Sequence, residues 1–136
     1  MAEITHAKEK DFLGIQKIIS KGALEGKILN RTKKEIQLLI KQKDIFVAKK
    51  EGKIIGVIAL DYYSKRFSEL RTLFVLKEHR SNGTGALLVN ALLKKAKEKK
   101  IKEIMTITTK ETSEWFKKQG FGEEAHNLKV ALFKEI

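Results

Sequence analysis

The stretch Leu70-Arg-Thr-Leu-Phe-Val-Leu-Lys-Glu-His-Arg80-Ser-Asn-Gly-Thr-Gly85-Ala-Leu-Leu-Val-Asn90 carries three local signals in succession. Leu70, Leu73, Phe74 and Val75 form a short apolar run that suits a buried strand. A charged break at residues 77–80 follows, and then two glycines two apart, Gly83 and Gly85. Leu88, Val89, Leu92, Leu93 and Ala96 open a helical apolar pattern directly behind them. Strand, glycine loop and helix start are the parts of an anion cradle. Glycine lets the backbone approach a ligand and take positive φ. The unpaired N–H groups of the first helical turn then point at the anion, aided by the helix dipole. The pattern is neither a P-loop, since no Gly-Lys-Ser/Thr follows, nor a dinucleotide fingerprint, since the third glycine is missing. An ordinary strand-to-helix turn with glycines for geometry is the other reading of the loop taken alone.

Working outward, residues 4–7 suit a short first strand. Residues 11–21 place Phe12, Ile15, Ile18 and Ile19 on one helical stripe. Residues 22–31 read as a loop, and Thr32-Lys-Lys-Glu35 is a capping box that opens a second helix with Ile36, Leu39 and Ile40 inward. Residues 45–50 and 53–62 are strands around the hairpin signal Glu51-Gly52. Residues 69–75 form the next strand and residues 85–100 the third helix. Residues 101–108 read as a buried strand, residues 113–119 as a short helix closed by Gly120, and residues 127–133 as a last strand. The order β-α-α-β-β-β-α-β-α-β predicts a mixed α/β layer architecture.

With 136 residues, no proline, no repeat and no linker composition, the chain is expected to be a single domain over residues 1–136. No cysteine is present, so a disulfide, a thiolate metal site and a cysteine nucleophile are all excluded. A reducing cytoplasm is the expected compartment. The N-terminus has no apolar leader and no apolar run is long enough to span a bilayer, so no membrane role is expected. His6, His79 and His126 are scattered without metal-ligand spacing, and no metal is expected. The formal charge of +12 fits a nucleic-acid binder, a collector of small polyanions, or a lysine-rich solvated surface. The densest run, residues 94–100, falls on the outer face and end of the third helix, where positive charge suits the dipole. Few aromatics interleave with the lysines, which favours the solvated surface over a nucleic-acid patch.

Arg80-Ser-Asn-Gly83-Thr-Gly85 resembles the Arg/Gln-x-x-Gly-x-Gly/Ala signature of the GNAT superfamily, the acyl-CoA-dependent N-acyltransferases. Residues 52–60 resemble that family's second hairpin strand, and Trp115-Phe-Lys-Lys-Gln-Gly120-Phe121 its late helix-to-strand motif. The element order is also the GNAT order, and the resemblance covers nearly the whole chain. It implies the GNAT fold, a mixed and mostly antiparallel sheet flanked by helices. It implies acetyl-CoA as co-substrate, with Arg80, Ser81, Asn82, Gly83, Thr84, Gly85 and Ala86 on the pyrophosphate. It places the thioester beside the backbone of Leu73, Phe74 and Val75, whose side chains are then core or pantetheine wall.

Amide formation from an amine and a thioester requires an amine stripped of its proton, a polarised carbonyl, an oriented acceptor and a stabilised thiolate. The resemblance makes Glu69, on the fourth strand, the candidate base. A surface glutamate paired with Lys65, Arg66 or Arg71 is the alternative. The late-helix tyrosine that many GNAT enzymes use to protonate the thiolate corresponds to Phe116, which has no proton to donate. Either a nearby hydroxyl such as Ser113 takes over, or the thiolate is protonated by water.

The Trp115-Phe116 pair is similar to the N-acetylglutamate synthases within this family, as are residues 28–35 and Ile107-Thr-Thr-Lys110. Two departures are that Lys110 stands where arginine is common, and that one extra residue separates it from Trp115. The resemblance implies a small acidic amino acid as substrate, held by Arg31, Arg71 and Lys110, within arginine biosynthesis. Many synthases carry an amino-acid-kinase domain through which arginine acts, and the chain is too short to include one. Weak or absent inhibition by arginine is therefore expected, unless a separate partner protein supplies that domain. Another amine acceptor, such as a protein lysine, a polyamine or a drug, and a non-catalytic acyl-CoA-binding module are the competing expectations. A homodimer is compatible with all of them.

Overall fold

The computed structural model describes residues 2–122; the strand expected over residues 127–133 lies outside them. The elements are β1 (Glu3–His6), a 3-10 turn (Glu9–Asp11), α1 (Phe12–Leu24), α2 (Lys33–Gln42), β2 (Ile45–Lys50), β3 (Lys53–Asp61), β4 (Phe67–Val75), a second 3-10 turn (Lys77–His79), α3 (Thr84–Glu98), β5 (Glu103–Met105) and α4 (Lys110–Lys118). The sheet order is β1-β2-β3-β4-β5. The first four strands pair antiparallel, and β5 joins β4 in parallel after the α3 crossover. The expected mixed, mostly antiparallel α/β sheet flanked by helices is the observed one.

Local chemistry accounts for the element ends. Thr32 accepts a hydrogen bond from the Glu35 backbone N–H at 3.1 Å, and Glu35 Oε1 accepts one from the Thr32 N–H at 2.9 Å. That is the reciprocal capping box the sequence predicts for α2. α1 runs on to Leu24, past the expected stop at residue 21. Gly22 does not break it, because its bare Cα is where the following loop packs: a Cβ there would lie 2.8 Å from Ile28 Cδ1 and 3.0 Å from the Phe74 ring.

Both faces of the sheet are covered. A Cβ on Gly22 of α1 would meet Phe74, while one on Gly56 would meet Val75 together with Leu88 of α3. Adjacent residues of a strand point to opposite faces, so α1 and α3 sit on opposite sides of the sheet. The run from Ile55 to Leu60 is correspondingly buried without alternation.

The strand expected over residues 101–108 is confined to Glu103–Met105, and this positions the site. β5 pairs with Phe67, Ser68 and Glu69 of β4 and no further, while β4 continues to Val75. The two parallel strands therefore part midway along β4. Thr106 still donates to the Leu70 carbonyl at 3.1 Å. Beyond that point no strand among the described residues pairs with this edge of β4.

Candidate active site

β4 carries an irregularity just where β5 leaves it. Val57 pairs with Phe74 but Ala59 pairs with Arg71, so β4 holds an extra residue there, and Thr72 has φ +61°. An L residue takes that conformation only when its surroundings enforce it. Thr72 is buried and its hydroxyl accepts from Arg31 Nε at 2.8 Å, a contact that anchors the bulge. A bulge turns backbone N–H groups out of the ladder. The bulge falls at Thr72 and Leu73, between the paired residues Arg71 and Phe74.

The glycine loop follows. Gly83 is the N-cap of α3 with φ +88°, and Ser81 has φ +66°. Asn82 Oδ1 accepts from both the Thr84 hydroxyl at 2.8 Å and the Thr84 N–H at 3.3 Å. Gly85 and Ala86, in the first turn, have no helical carbonyl to bond. Arg80 donates from Nε to the Val75 carbonyl at 2.8 Å, stacks over Phe74 at 5.2 Å and lies 3.5 Å from Glu25. In this structure Arg80 thus ties the loop back to the end of β4. Gly85 is small for a second reason as well: a Cβ would lie 3.2 Å from Trp115 Cζ2, so α4 seats its indole against the loop.

Glu69 does not stand at the start of its strand. β4 begins at Phe67, and Glu69 is 8% exposed. That burial removes the surface-glutamate reading. Instead of Lys65, Arg66 or Arg71, its partner is Tyr63, whose hydroxyl donates to Oε1 at 2.6 Å. Glu69 pairs across the ladder with Asp61, the last residue of β3. Asp61 is a hub that sequence reasoning did not find. Arg31 embraces it, Nη1 to Oδ1 at 3.1 Å and Nη2 to Oδ2 at 2.9 Å, and Arg71 Nη1 reaches Oδ2 at 3.1 Å. The Arg31 side chain is 4% exposed and the Arg71 side chain 33%. The structure brings two of the three expected cations, Arg31 and Arg71, together on Asp61 beside Glu69, while the third, Lys110, opens α4. It also shows that both forks of Arg31 are engaged within the protein. Nothing local singles out Asp61: its place opposite Glu69 follows from the β3–β4 register, which the bulge shifts.

Lys110 is the first residue of α4, which starts one turn earlier than expected, behind the N-cap Thr109. Ser113 lies in the next positions of that helix, with its N–H on the Thr109 carbonyl at 3.0 Å. The hydroxyls of Thr108 and Thr109 each contact that of Thr112 in the same turn. Phe116 is buried edge-on between Trp115 and Phe121, a core residue of the α4 packing. Among the described residues no group of histidine and carboxylate side chains could hold a metal ion, and no helix is long and apolar enough to cross a membrane.

Residues 41–123 match the family model described as the acetyltransferase (GNAT) domain. An uncharacterised N-acetyltransferase of Chlorobaculum tepidum is 33% identical over 120 residues, which is 88% of this chain and 75% of that protein. The amino-acid acetyltransferase of Aliivibrio fischeri is 29% identical over 120 residues, 88% of this chain but only 26% of its own length. The chain therefore spans about a quarter of that relative. Among solved structures, Rv2747 of Mycobacterium tuberculosis, in complex with CoA and NLQ, superposes with a TM-score of 0.80 at 22% identity, over 89% of this chain and 72% of that one. N-acetylglutamate synthase of Neisseria gonorrhoeae, complexed with coenzyme A and N-acetyl-glutamate, gives a TM-score of 0.78 at 22% identity, over 88% of this chain and 28% of that one.

Proposed function

Because the chain belongs to the GNAT acetyltransferase family, we propose that this N-acetyltransferase moves the acetyl group of acetyl-CoA to the amine of L-glutamate. The observation that carries the acceptor is the convergence of Arg31 and Arg71 on one carboxylate beside Glu69. The two guanidiniums balance the carboxylates of Asp61 and Glu69, so an acceptor carboxylate is held by spare donors rather than by excess charge. Arg71 is partly exposed and spends one donor on Asp61, so its other donors are available to an acceptor carboxylate. Lys110 supplies the second cation that a dicarboxylate needs. The amino-acid acetyltransferase and N-acetylglutamate synthase relatives support the same acceptor.

The chemistry follows from the residues. Glu69 takes a proton from the acceptor ammonium, directly or through water, and frees the nitrogen lone pair. The nitrogen attacks the thioester carbonyl carbon. N–H groups of the bulged segment, Leu73 to Val75, stabilise the oxyanion that forms. Collapse breaks the carbon–sulfur bond. The nitrogen then gives up its second proton, and Ser113 or water passes it on to the thiolate, since Phe116 has none to give. The N–H groups from Ser81 to Ala86 hold the pyrophosphate, with Arg80 fixing the loop.

A second reading rests on the facing carboxylates of Asp61 and Glu69, cross-strand partners that would attract a cationic acceptor such as a polyamine or a lysine side chain. The test is an acceptor screen with acetyl-CoA over the amino acids, polyamines and a lysine peptide, following release of the free thiol. Glutamate is expected to lead, with aspartate one methylene short and glutamine leaving a cation unpaired. Faster turnover of spermidine or the peptide overturns the glutamate reading in favour of the second.

A further inference from the structure

We infer that Tyr63 is the positioning residue of the base: its phenol fixes the Glu69 carboxylate in one orientation toward the acceptor amine. The inference rests on the reading of Glu69 as base and is independent of which amine is acetylated.

Tyr63 lies in the turn between β3 and β4, and that turn is itself organised. The Tyr63 N–H donates to Ser68 Oγ at 3.0 Å, and Ser68 Oγ donates to the Ser64 carbonyl at 3.1 Å. Ser68 is fully buried, so the turn is pinned from beneath, one residue before Glu69. The Tyr63 ring packs on Phe67 at 5.6 Å. From this seat the hydroxyl reaches Glu69 Oε1 at 2.6 Å, the short length of a bond to a charged acceptor. The proton resides on the phenol side of this bond. Burial, then the hydrogen bond to Glu69, then the charges of Glu69 and Asp61 push the phenol up to about 12, against a smaller opposite effect of Arg71. The phenol is a donor throughout the working pH range.

The charged groups around the pair come from three elements. Asp61 faces it from β3, Arg71 from β4, and Arg31 from the loop before α2 through Asp61. On the β5 side Glu69 meets Met105, which carries no charge. Asp61 is committed to the two arginines, so Tyr63 is the neutral donor left to Glu69 itself. A donor on Oε1 fixes the carboxylate rotamer and leaves Oε2 for the acceptor. A purely structural tyrosine would do neither.

The test compares pH profiles of kcat/KM for the parent, Glu69→Gln and Tyr63→Phe, using the best acceptor from the screen. Tyr63→Phe keeps the ring and its Phe67 contact, and a thermal melt checks that the fold is retained. Glu69→Gln should remove one acid limb. Tyr63→Phe should lower the plateau kcat several-fold with the acetyl-CoA KM unchanged, because the carboxylate loses the donor that orients it. Ser68→Ala, which loosens the turn but keeps the phenol, should lower kcat less. If Glu69→Gln removes the limb but Tyr63→Phe keeps the parental kcat, the positioning role is wrong and the base reading stands. If Glu69→Gln keeps the limb, both are wrong.

Discussion

Replacing Arg31 with alanine deletes three hydrogen bonds at once, to Thr72 Oγ1 at 2.8 Å and to the two Asp61 oxygens at 3.1 and 2.9 Å. The lost side chain is 4% exposed, so solvent screening does little to weaken these contacts. Removing one partner of a buried ion pair costs roughly 3–5 kcal/mol. Asp61 keeps Arg71 at 3.1 Å and is itself 13% exposed, which reduces the expected loss. About 2–3 kcal/mol remains, including the orphaned Thr72 hydroxyl. For a chain of this size each kcal/mol lowers Tm by about 3–5 °C, so Arg31→Ala should melt about 6–15 °C early. The assay is thermal unfolding by circular dichroism for the parent, Arg31→Ala, Asp61→Asn and the double variant. The double variant should lose less than the sum of the singles, with a coupling of at least about 1 kcal/mol. The bulge depends on the same contact, so the glutamate KM should also rise by about tenfold or more, with acetyl-CoA binding little changed. Arg31→Lys keeps the charge without the fork and should fall between. A melt within about 2 °C of the parent, or a strictly additive cycle, would refute the idea that this guanidinium anchors the loop and the bulge.

Three further predictions concern the remaining parts of the site. Gly85→Val should raise the acetyl-CoA KM at least about tenfold, since a Cβ alone would lie 3.2 Å from Trp115 and a branched side chain would push the loop backbone out of place; an unchanged KM in a folded variant places the pyrophosphate elsewhere. Glu69→Gln should lower kcat by roughly 10²–10⁴-fold at neutral pH; near-parental turnover would transfer the role to ordered water. Gly22→Ala should destabilise by about 1–2 kcal/mol despite alanine's better helix propensity, because its Cβ would press Ile28 at 2.8 Å and the Phe74 ring at 3.0 Å; denaturant titration would read the loss, and a gain in stability would show that the loop rearranges freely.

Much of the fold was legible because its signals are local. The capping box at Thr32, the hairpin turn at Glu51-Gly52, the apolar stripes of α1 to α3 and the glycine loop each act within a few residues. Where the reading strayed, a distant partner decided. α1 outruns Gly22 because Ile28 and Phe74 fill the space that a side chain would take. β5 is short because its pairing with β4 stops at Glu69, a fact that residues 101–108 do not encode by themselves. Glu69, Arg31 and Arg71 were found as candidates, while Asp61 and Tyr63 were missed. An aspartate ending a strand and a tyrosine in a turn have ordinary local explanations.

The sequence by itself determined the layer architecture, the anion cradle ahead of α3 and the residue types able to do amide chemistry. These follow from periodicity, glycine placement and side-chain functional groups, all properties of short segments. Tertiary structure alone decided the state of those groups. The bulge at Thr72 has no glycine to announce it and exists because Arg31, 41 positions away, holds its hydroxyl. The engagement of Arg31 by Asp61 and of Glu69 by Tyr63 depends on two strands, the turn between them and the loop before α2 meeting at one point. Hydrogen bonds act over about 3 Å, and the distance between two side chains is set by the folded sheet rather than by their separation along the chain.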